Sequence, residues 1–122
     1  MKQAFVALAV LLTASGSSAL AAGDAEAGAV VFKKCALCHS NEAGKTKIGP
    51  SLFGVVGRHS ASLPGYNYSE AMKSADKTWD EATLNVYLTS PKALVPGTKM
   101  TFPGLPDETD RLNVIAYLAT LK

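Results

Sequence analysis

The sequence predicts a small all-α domain, and three features of the chain support this fold class. Apolar residues recur at helical spacing in four separate stretches, whereas no segment shows the apolar and polar alternation typical of strands. The chain between these stretches is irregular and rich in glycine and proline. About a hundred residues remain after an apolar amino-terminal leader, which is the length of one domain.

The leader has the layout of a cleaved secretory signal. Lys2 precedes an apolar run over residues 4–12, and Ala19-Leu20-Ala21 provides small residues for cleavage. The apolar run is shorter than the roughly 20 residues needed to span a bilayer. We therefore predict a signal peptide over 1–21, one domain over 22–122, and no stable membrane insertion. Retention of the leader as a membrane tether is the alternative.

Both ends of the domain are predicted to be helical. Residues 24–34 are rich in alanine and place Ala25, Ala29 and Phe32 on one face of a first helix. The last helix begins near residues 106–108, where a proline and two acidic residues suit a first turn. The apolar stripe of the last helix is predicted to be Leu112, Ile115, Ala116 and Ala119.

Two further helices are predicted from capping-box spacing. Residues 67–70 have this spacing ahead of a short helix that runs to Ala75, and residues 78–81 have it ahead of a longer helix. The longer helix is predicted to end at Ser90-Pro91, because proline cannot continue it. Its apolar positions at helical spacing are Leu84, Tyr87 and Leu88.

The pentapeptide Cys35-Ala36-Leu37-Cys38-His39 has the CxxCH spacing at which c-type haem is attached. Two residues between the cysteines place both thiols on about one helical turn, where each can form a thioether with one haem vinyl group. His39 is then held beneath the iron as a ligand. Under this interpretation the iron carries the chemistry and the protein tunes it.

The motif has three other interpretations. A structural zinc site needs four nitrogen or sulfur ligands, and beyond the motif the chain offers only His59. A thioredoxin-like redox pair would be expected beside a strand-helix-strand pattern, which is not predicted here. A short-loop disulfide is possible in an oxidising compartment but leaves His39 unexplained. Haem attachment explains all three motif residues.

Residues 41–65 show neither helical nor strand periodicity and contain five glycines and two prolines. An irregular segment of this length is uncommon in a compact domain unless it serves a function. Burying several hundred Å² of porphyrin at ~25 cal/mol per Å² contributes on the order of 10 kcal/mol, which rivals the stability of a small domain. We therefore expect the polypeptide without haem to be largely unfolded.

The candidates for the ligand on the other side of the iron are Met100, Met72, His59 and the lysines. Met100 lies in residues 96–104, whose prolines and glycines predict a loop that can carry a thioether across the haem. Met72 lies within a predicted helix, where core packing is the usual role of methionine. Met72, His59, Lys99 and an open site remain the alternatives.

The charge of the chain excludes a strong attraction to nucleic acid. Twelve basic and ten acidic residues give a net charge of +2, and loss of Lys2 with the leader lowers it to +1. No basic excess of the kind that marks nucleic-acid-binding domains is present. Nucleic acid is therefore not an expected partner.

Taken together, the short motifs resemble those of class I cytochromes c, of the mitochondrial cytochrome c and bacterial cytochrome c2 type. The resemblance covers essentially all of residues 22–122 and keeps the order and spacing of the family's motifs. The matching strings are residues 23–28, CxxCH at 35–39, Gly49-Pro50-Ser51-Leu52, Gly57-Arg58, residues 65–69, Trp79, Tyr87-Leu88, residues 96–100 and residues 115–118.

The resemblance implies a class I cytochrome c fold, with about four helices and long loops around one haem bound through Cys35 and Cys38. His39 would be the proximal ligand and Met100 the distal ligand of the iron. The Pro50 carbonyl would accept a hydrogen bond from the other imidazole nitrogen and fix the ring. A histidine and methionine pair raises the reduction potential.

The resemblance also assigns residues around the haem. Arg58, Tyr68 and Trp79 would surround a haem propionate, because a partly buried carboxylate needs donors and positive charge near it. Tyr87 would lie near the methionine sulfur and Thr98 near the inner propionate. Met72 stands where the family often has asparagine. Because methionine cannot make the hydrogen bonds of an asparagine, the reduction potential of relatives should not be assigned to this protein. The crossing of the terminal helices would involve Gly28, Phe32 and Tyr117.

The resemblance implies an electron carrier rather than an enzyme. The protein would be a monomer exported to a bacterial periplasm, carrying single electrons from a cytochrome bc-type complex to a terminal oxidase or a photosynthetic reaction centre. A haem peroxidase or gas-binding protein with a labile sixth ligand is the alternative. The resemblance also implies a basic ring around the haem edge that faces acidic redox partners, formed by Lys34, Lys45, Lys47, Lys92 and Lys99. The alternative is that these lysines belong to an ordinary solvated surface of mixed charge.

Overall fold

The computed structural model describes residues 23–122, so the predicted signal peptide over 1–21 lies outside the described residues. Within 23–122 there are helices and no strands, which confirms the all-α class; one isolated bridge joins His59 and Thr78. In this part of the chain no helix is both long and apolar enough to cross a membrane. The helices are α1 (Ala25–Val31), a 3₁₀ turn (Phe32–Lys34), α2 (Glu70–Ala75), α3 (Glu81–Thr89), α4 (Pro91–Leu94) and α5 (Glu108–Ala119).

Helices α1 and α5 cross at very short range because glycines face the crossing. A Cβ atom at Gly28 would lie 1.9 Å from the carbonyl oxygen of Asn113, so no other residue fits there without displacement. The rings of Phe32 and Tyr117 pack beside the crossing with centroids 5.1 Å apart. The predicted face of α1 is wrong at Ala29, which is exposed, because Gly28 makes the contact instead.

Helix α5 packs against other parts of the domain with two faces, so the single predicted apolar stripe is only partly correct. Of the four predicted positions, Ile115 alone is fully buried. Two core residues of this helix fall outside the predicted stripe, Val114 and Leu118, which are 0% and 4% exposed. The backbone at Leu112 instead faces the chain before α1, where a Cβ at Gly23 would lie 2.0 Å from its carbonyl oxygen. The helix lies between α1 and the core, so one stripe cannot describe it.

The predicted capping boxes begin two residues too early. Ser69 is the N-cap of α2 and accepts a hydrogen bond from the amide of Met72 at 3.0 Å. Asp80 is the N-cap of α3 and accepts from the amide of Thr83 at 2.7 Å. Both are strong capping residues that stand closer to the helical run than the predicted caps. The backbone ahead of α3 is also held outside the helix, because Thr78 forms the bridge to His59.

Helix α4 was not expected from the sequence. Ser90 ends α3 with an extended backbone at a φ of −158°, and Pro91 then occupies the first turn of a new one-turn helix. Proline suits that position because its fixed φ is helical and its missing N–H would be unpaired there in any case. The described residues therefore contain five α-helices, one more than predicted.

Residues 41–65 contain neither helix nor strand, which confirms the predicted irregular segment. Backbone hydrogen bonds fasten it to the rest of the domain: the amide of Gly54 donates to Leu121 at 2.6 Å and that of Gly57 to Trp79 at 2.8 Å. Several residues of the segment, among them Leu52, Val55 and Arg58, line a cavity together with residues of α3 and α5.

Candidate functional site

The cavity has a volume of about 630 Å³ and is lined mainly by apolar side chains. This volume is typical of sites for small molecules and cofactors, which lie in the range of roughly 300–1,000 Å³. The lining includes much of the hydrophobic core, so a bound group would complete that core rather than sit beside it. Core residues that line the cavity are Val55, Trp79, Leu84, Tyr87, Leu88, Val114 and Leu118.

The cysteine motif follows the 3₁₀ turn and lies on the cavity wall. The amides of Cys38 and His39 both donate to the Cys35 carbonyl, at 3.0 and 2.9 Å, which winds the motif into one turn. Both thiols line the cavity and are free. Burial, with a smaller effect of Cys38, raises the pKa of Cys35 to about 11, so its thiol is protonated near neutral pH. The two sulfurs are therefore placed to be joined to a group in the cavity.

The geometry gives the zinc interpretation no support. Within residues 23–122, no three His, Cys, Asp or Glu side chains gather into a group that could hold a metal ion. A structural zinc site needs four such ligands. The side chains at the cavity fit better a prosthetic group that already holds a metal ion and needs only two further ligands from the chain.

His39 is held in one tautomer. Its Nδ1 donates a hydrogen bond to the Pro50 carbonyl at 2.7 Å, since a carbonyl can only accept, and this leaves Nε2 as an acceptor. Burial lowers the pKa of His39, opposed by the Pro50 hydrogen bond and assisted by the nearby charges of Arg58 and Lys47. The neutral imidazole with a free nitrogen is the form that binds metals.

Gly49 makes the position of His39 possible, a role that the sequence analysis did not assign to it. A Cβ atom at Gly49 would lie 2.4 Å from Cε1 of His39, well inside contact distance. Gly49 also donates its amide to the Cys38 carbonyl at 2.8 Å, so it ties the irregular segment to the motif. Its place next to Pro50 in the Gly49-Pro50 string is the sequence signal that marks it.

Met100 lines the same cavity as His39. Its sulfur accepts a hydrogen bond from the Tyr87 hydroxyl at 3.4 Å, and its amide donates to Oγ1 of Thr98 at 3.2 Å. The Tyr87 hydroxyl also lies 3.5 Å from Thr98 Oγ1. Burial raises the pKa of Tyr87, with the Thr98 hydrogen bond opposing it, so this phenol stays a donor over the physiological range. The methionine sulfur is thus oriented by a fixed donor.

The other predicted candidates for the same role are placed differently. Met72 lies in α2 and also lines the cavity. The Lys99 ammonium donates to the Asn67 carbonyl at 2.7 Å. The exposed ring of His59 has Nε2 2.8 Å from Asp76 Oδ1 and Nδ1 3.0 Å from the carbonyl of Ser60. Of these three side chains, Met72 is therefore the one whose possible iron-binding atom, the sulfur, makes no hydrogen bond within residues 23–122.

Arg58, Tyr68 and Trp79, which the resemblance assigns to the surroundings of a haem propionate, all line the cavity. The Arg58 guanidinium donates to the carbonyls of Ser51 and Phe53 at 2.9 and 3.1 Å. The Tyr68 hydroxyl accepts from the Leu63 amide at 3.2 Å. The backbone of Trp79 donates to the Arg58 carbonyl at 2.9 Å, so these two residues are held together.

The five lysines of the predicted basic ring are not equivalent. Lys34 and Lys99 line the cavity, and the ammonium of Lys47 donates to the carbonyl of Ala36 within the motif. Lys45 is paired with Glu42 at 3.4 Å, which offsets its charge. Lys92 lies on α4 and is exposed, and the cavity lining does not include it. The positive charge nearest the cavity therefore comes from three of the five.

Comparison with known proteins identifies the family of this arrangement. The family model for cytochrome c matches residues 25–122. Cytochrome c2 of Rhodomicrobium vannielii is 50% identical over 121 residues, covering 98% of this chain and 97% of the relative. Cytochrome c2 of Rhodoblastus acidophilus is 54% identical over 102 residues, covering 83% and 95%. The solved structure of cytochrome cH from Methylobacterium extorquens is 45% identical, with a TM-score of 0.76 over 80% of this chain and 99% of that one.

Proposed function

The chain belongs to the cytochrome c family, and we propose that it is an electron carrier whose haem iron is bound by His39 and Met100. Its fold is that of a class I cytochrome c, and its cofactor is haem c, which this family attaches through a cysteine pair. The observation that carries the proposed ligation is that a neutral His39 and Met100 line one apolar cavity with the two motif thiols.

The residues around the cavity fit the haem group. Cys35 and Cys38 would hold it by thioether bonds, and Nε2 of His39 and the Met100 sulfur would bind its iron. Bound haem supplies a one-electron Fe(II)/Fe(III) couple. The chain needs to provide no proton donor or acceptor for this step, so its contribution is to bind, orient and exclude water.

Two hydrogen bonds are placed to tune the couple. The Pro50 carbonyl fixes the His39 ring and raises the basicity of Nε2. The Tyr87 hydroxyl donates to the Met100 sulfur, and by withdrawing electron density it would make this sulfur a weaker ligand for ferric iron. Together with the methionine and histidine pair itself, the second contact favours the reduced state and a moderately high potential.

A haem carboxylate would be stabilised by Arg58, Tyr68 and Trp79. All three line the cavity, and Arg58 brings a permanent positive charge to that wall. A carboxylate removed from water requires such charge and hydrogen-bond donors. Thr98 lines the same cavity, accepts a hydrogen bond from the amide of Met100 and would supply a further hydroxyl to a haem carboxylate.

The proposed location is the bacterial periplasm, supported by the leader over residues 1–21 and by the cytochrome c2 relatives from bacteria. There the protein would act as a monomer that takes electrons from a cytochrome bc-type complex and delivers them to a terminal oxidase or a photosynthetic reaction centre. Docking through Lys34, Lys47 and Lys99 would be weak and sensitive to salt, because exposed charges are screened at high ionic strength. Lys45 and Lys92 would contribute less.

Absorbance spectroscopy of the oxidised, haem-loaded protein tests the ligation. The weak near-infrared band of sulfur-to-iron ligation should be present in the wild type. Met100→Ala should abolish this band and lower the reduction potential, whereas Met72→Ala should retain the band. A high-spin spectrum in the wild type would instead favour the peroxidase or gas-binding alternative, for which an open iron site is required.

The intact mass of the purified protein tests export and cleavage. A mass equal to residues 22–122 plus one haem supports a free periplasmic carrier. A mass that includes residues 1–21 supports a carrier tethered to the membrane. The electron-transfer proposal holds in both cases, so this measurement concerns location alone.

A further inference from the structure

The loop that carries Met100 is fixed mainly at its two ends. In the described part of the chain, residues 99–104 form no hydrogen bond with other backbone groups. Val95 and Leu105, at the two ends of the loop, are each 2% exposed. The amide of Leu105 also donates to the carbonyl of Leu88 in α3 at 2.7 Å. The position of Met100 therefore depends on how firmly the ends of the loop are held.

The end of the loop at Leu105 has a further anchor, which comes from α5. Nη1 of Arg111 donates to the carbonyls of Leu105 and Pro106, at 2.8 and 3.0 Å. Nε of the same side chain donates to Oδ1 of Asn85 in α3 at 2.8 Å. One guanidinium thus joins the end of the loop to two helices. Arginine suits this task because it offers several N–H donors in a rigid planar arrangement.

The three acceptors of Arg111 are neutral, although acidic residues are close in the chain. Three of them lie at the start of α5, namely Asp107, Glu108 and Asp110. Within residues 23–122, none of them forms an ion pair with Arg111. The two carbonyls that Arg111 binds precede the N-cap of α5, so the helix gives them no amide partner. The guanidinium is therefore used to fix backbone rather than to balance charge.

The backbone just before Leu105 already touches the carboxyl end of α3. Gly104 has a φ of +114°, a conformation that favours glycine, and a Cβ atom there would lie 2.2 Å from the carbonyl oxygen of Thr89. Helix α3 also carries Tyr87, which donates to the Met100 sulfur. A loop end that moved away from α3 would therefore move Met100 relative to Tyr87.

We propose that Arg111, which does not line the cavity, is a positioning residue for the iron ligand Met100. This inference rests on the proposed ligation of the iron by Met100. By holding the loop end against α3, the guanidinium limits how often the loop opens and withdraws the methionine sulfur. A small external ligand such as imidazole binds the iron only while the loop is open. Its apparent affinity therefore measures the fraction of open protein.

Imidazole titration of the oxidised, haem-loaded protein tests this proposal, with loss of the near-infrared sulfur-to-iron band as the signal. Arg111→Gln loses the guanidinium hydrogen bonds and should raise the apparent affinity for imidazole about tenfold. Arg111→Lys keeps the charge but cannot make the three bonds, so it should not restore the affinity of the wild type. Asn85→Ala removes one acceptor and should raise the affinity about threefold.

Two controls separate this role from stability and from charge. Asp24→Ala removes the N-cap of α1, so it should lower the thermal midpoint but leave the imidazole affinity within about twofold of the wild type. Asp110→Asn changes the charge at the start of α5 and should also stay within about twofold. Hydrogen exchange gives a second measurement, because the Leu105 amide should exchange faster in Arg111→Gln and not in Asp24→Ala.

The proposal is overturned if Arg111→Gln binds imidazole as the wild type does, or if Asp24→Ala raises the affinity as much. Full recovery in Arg111→Lys would also overturn it, because charge alone would then suffice. If Arg111→Gln does not fold with haem, Asn85→Ala decides, since it leaves both carbonyl bonds in place. If the wild type lacks the near-infrared band, the proposed ligation fails and this inference falls with it. That failure is distinguishable because it is seen in the wild type without any variant.

Discussion

The Tyr87 hydroxyl donates a hydrogen bond to the sulfur of Met100 across 3.4 Å, which links α3 to the loop that carries the proposed distal ligand. Tyr87→Phe removes this donor and leaves the ring in place. The sulfur then becomes a better ligand for ferric iron, so the reduction potential should fall by about 20–60 mV, the equivalent of one modest hydrogen bond. Redox titration measures this change. An unchanged or raised potential would contradict the proposed role of the hydroxyl.

Gly49 leaves no room for a side chain beside the ring of His39. Gly49→Ala places a methyl group where the Cβ would be 2.4 Å from Cε1 of His39, so the ring or the Pro50 carbonyl must move. We expect the variant to show a lowered thermal midpoint and a changed haem spectrum, because the hydrogen bond that fixes the ring is lost. Gly44→Ala is the control for the spectrum: its φ of +73° strains an alanine, but a Cβ there meets nothing within 4 Å, so this variant should lower the thermal midpoint without changing the haem spectrum. Equal spectra for both variants would show that the contact is unimportant.

Gly28 sets the approach of the two terminal helices. Gly28→Ala would put its Cβ 1.9 Å from the Asn113 carbonyl oxygen, which is backbone and cannot turn away. The clash should lower the free energy of unfolding by about 2–3 kcal/mol, although alanine is the better helix former by about 1 kcal/mol. Val30→Ala, on the exposed side of α1, should change it by less than about 0.5 kcal/mol. Denaturant titration of the haem-loaded proteins compares the two.

Asp80 makes the stability of α3 dependent on pH. Its hydrogen bonds to Thr83 lower the pKa of Asp80 from 3.8, so the folded state favours the carboxylate. This contribution is present above pH 3.8 and is lost as the pH falls through the depressed pKa of the folded state. Asp80→Asn keeps a capping residue but has no charge to lose. The wild type should exceed the variant in thermal midpoint near pH 6, and this advantage should shrink as the pH falls below 3.8 and vanish once the carboxyl is protonated in both the folded and unfolded states. If the difference in thermal midpoint between the wild type and the variant does not change with pH, the charge of the Asp80 carboxylate is not its cause.

The cavity makes folding depend on the cofactor. Without a bound group, a cavity of about 630 Å³ would cost on the order of 10 kcal/mol, which is comparable to the entire stability of a small domain. Cys35→Ala/Cys38→Ala removes both attachment sites, and we expect the product to lack the helical circular dichroism of the haem-loaded protein. A cooperative unfolding transition in that variant would show that the polypeptide folds by itself.

The sequence was sufficient for features that depend on local spacing. Cysteines three positions apart with an adjacent histidine indicate haem attachment whatever surrounds them, because one turn of chain presents all three side chains together. The terminal helices and the irregular 41–65 segment followed from periodicity and from glycine and proline content. The covalent cofactor and the fold class could therefore be predicted from the chain, and the family comparison supports both.

Other features depended on which residues the fold brings together. The two faces of α5, the clearance at Gly28 and Gly49, and the contact of Tyr87 with Met100 all join residues distant in the chain. The start of helix α4 and the N-cap of α3 depend on the backbone conformation of the preceding residues, Ser90 and Asp80, which are extended in the folded protein. Sequence periodicity reports that a side chain is buried, but only the packing of one segment against another determines what it is buried against. The tertiary structure alone therefore decided how His39 and Met100 are oriented by their neighbours.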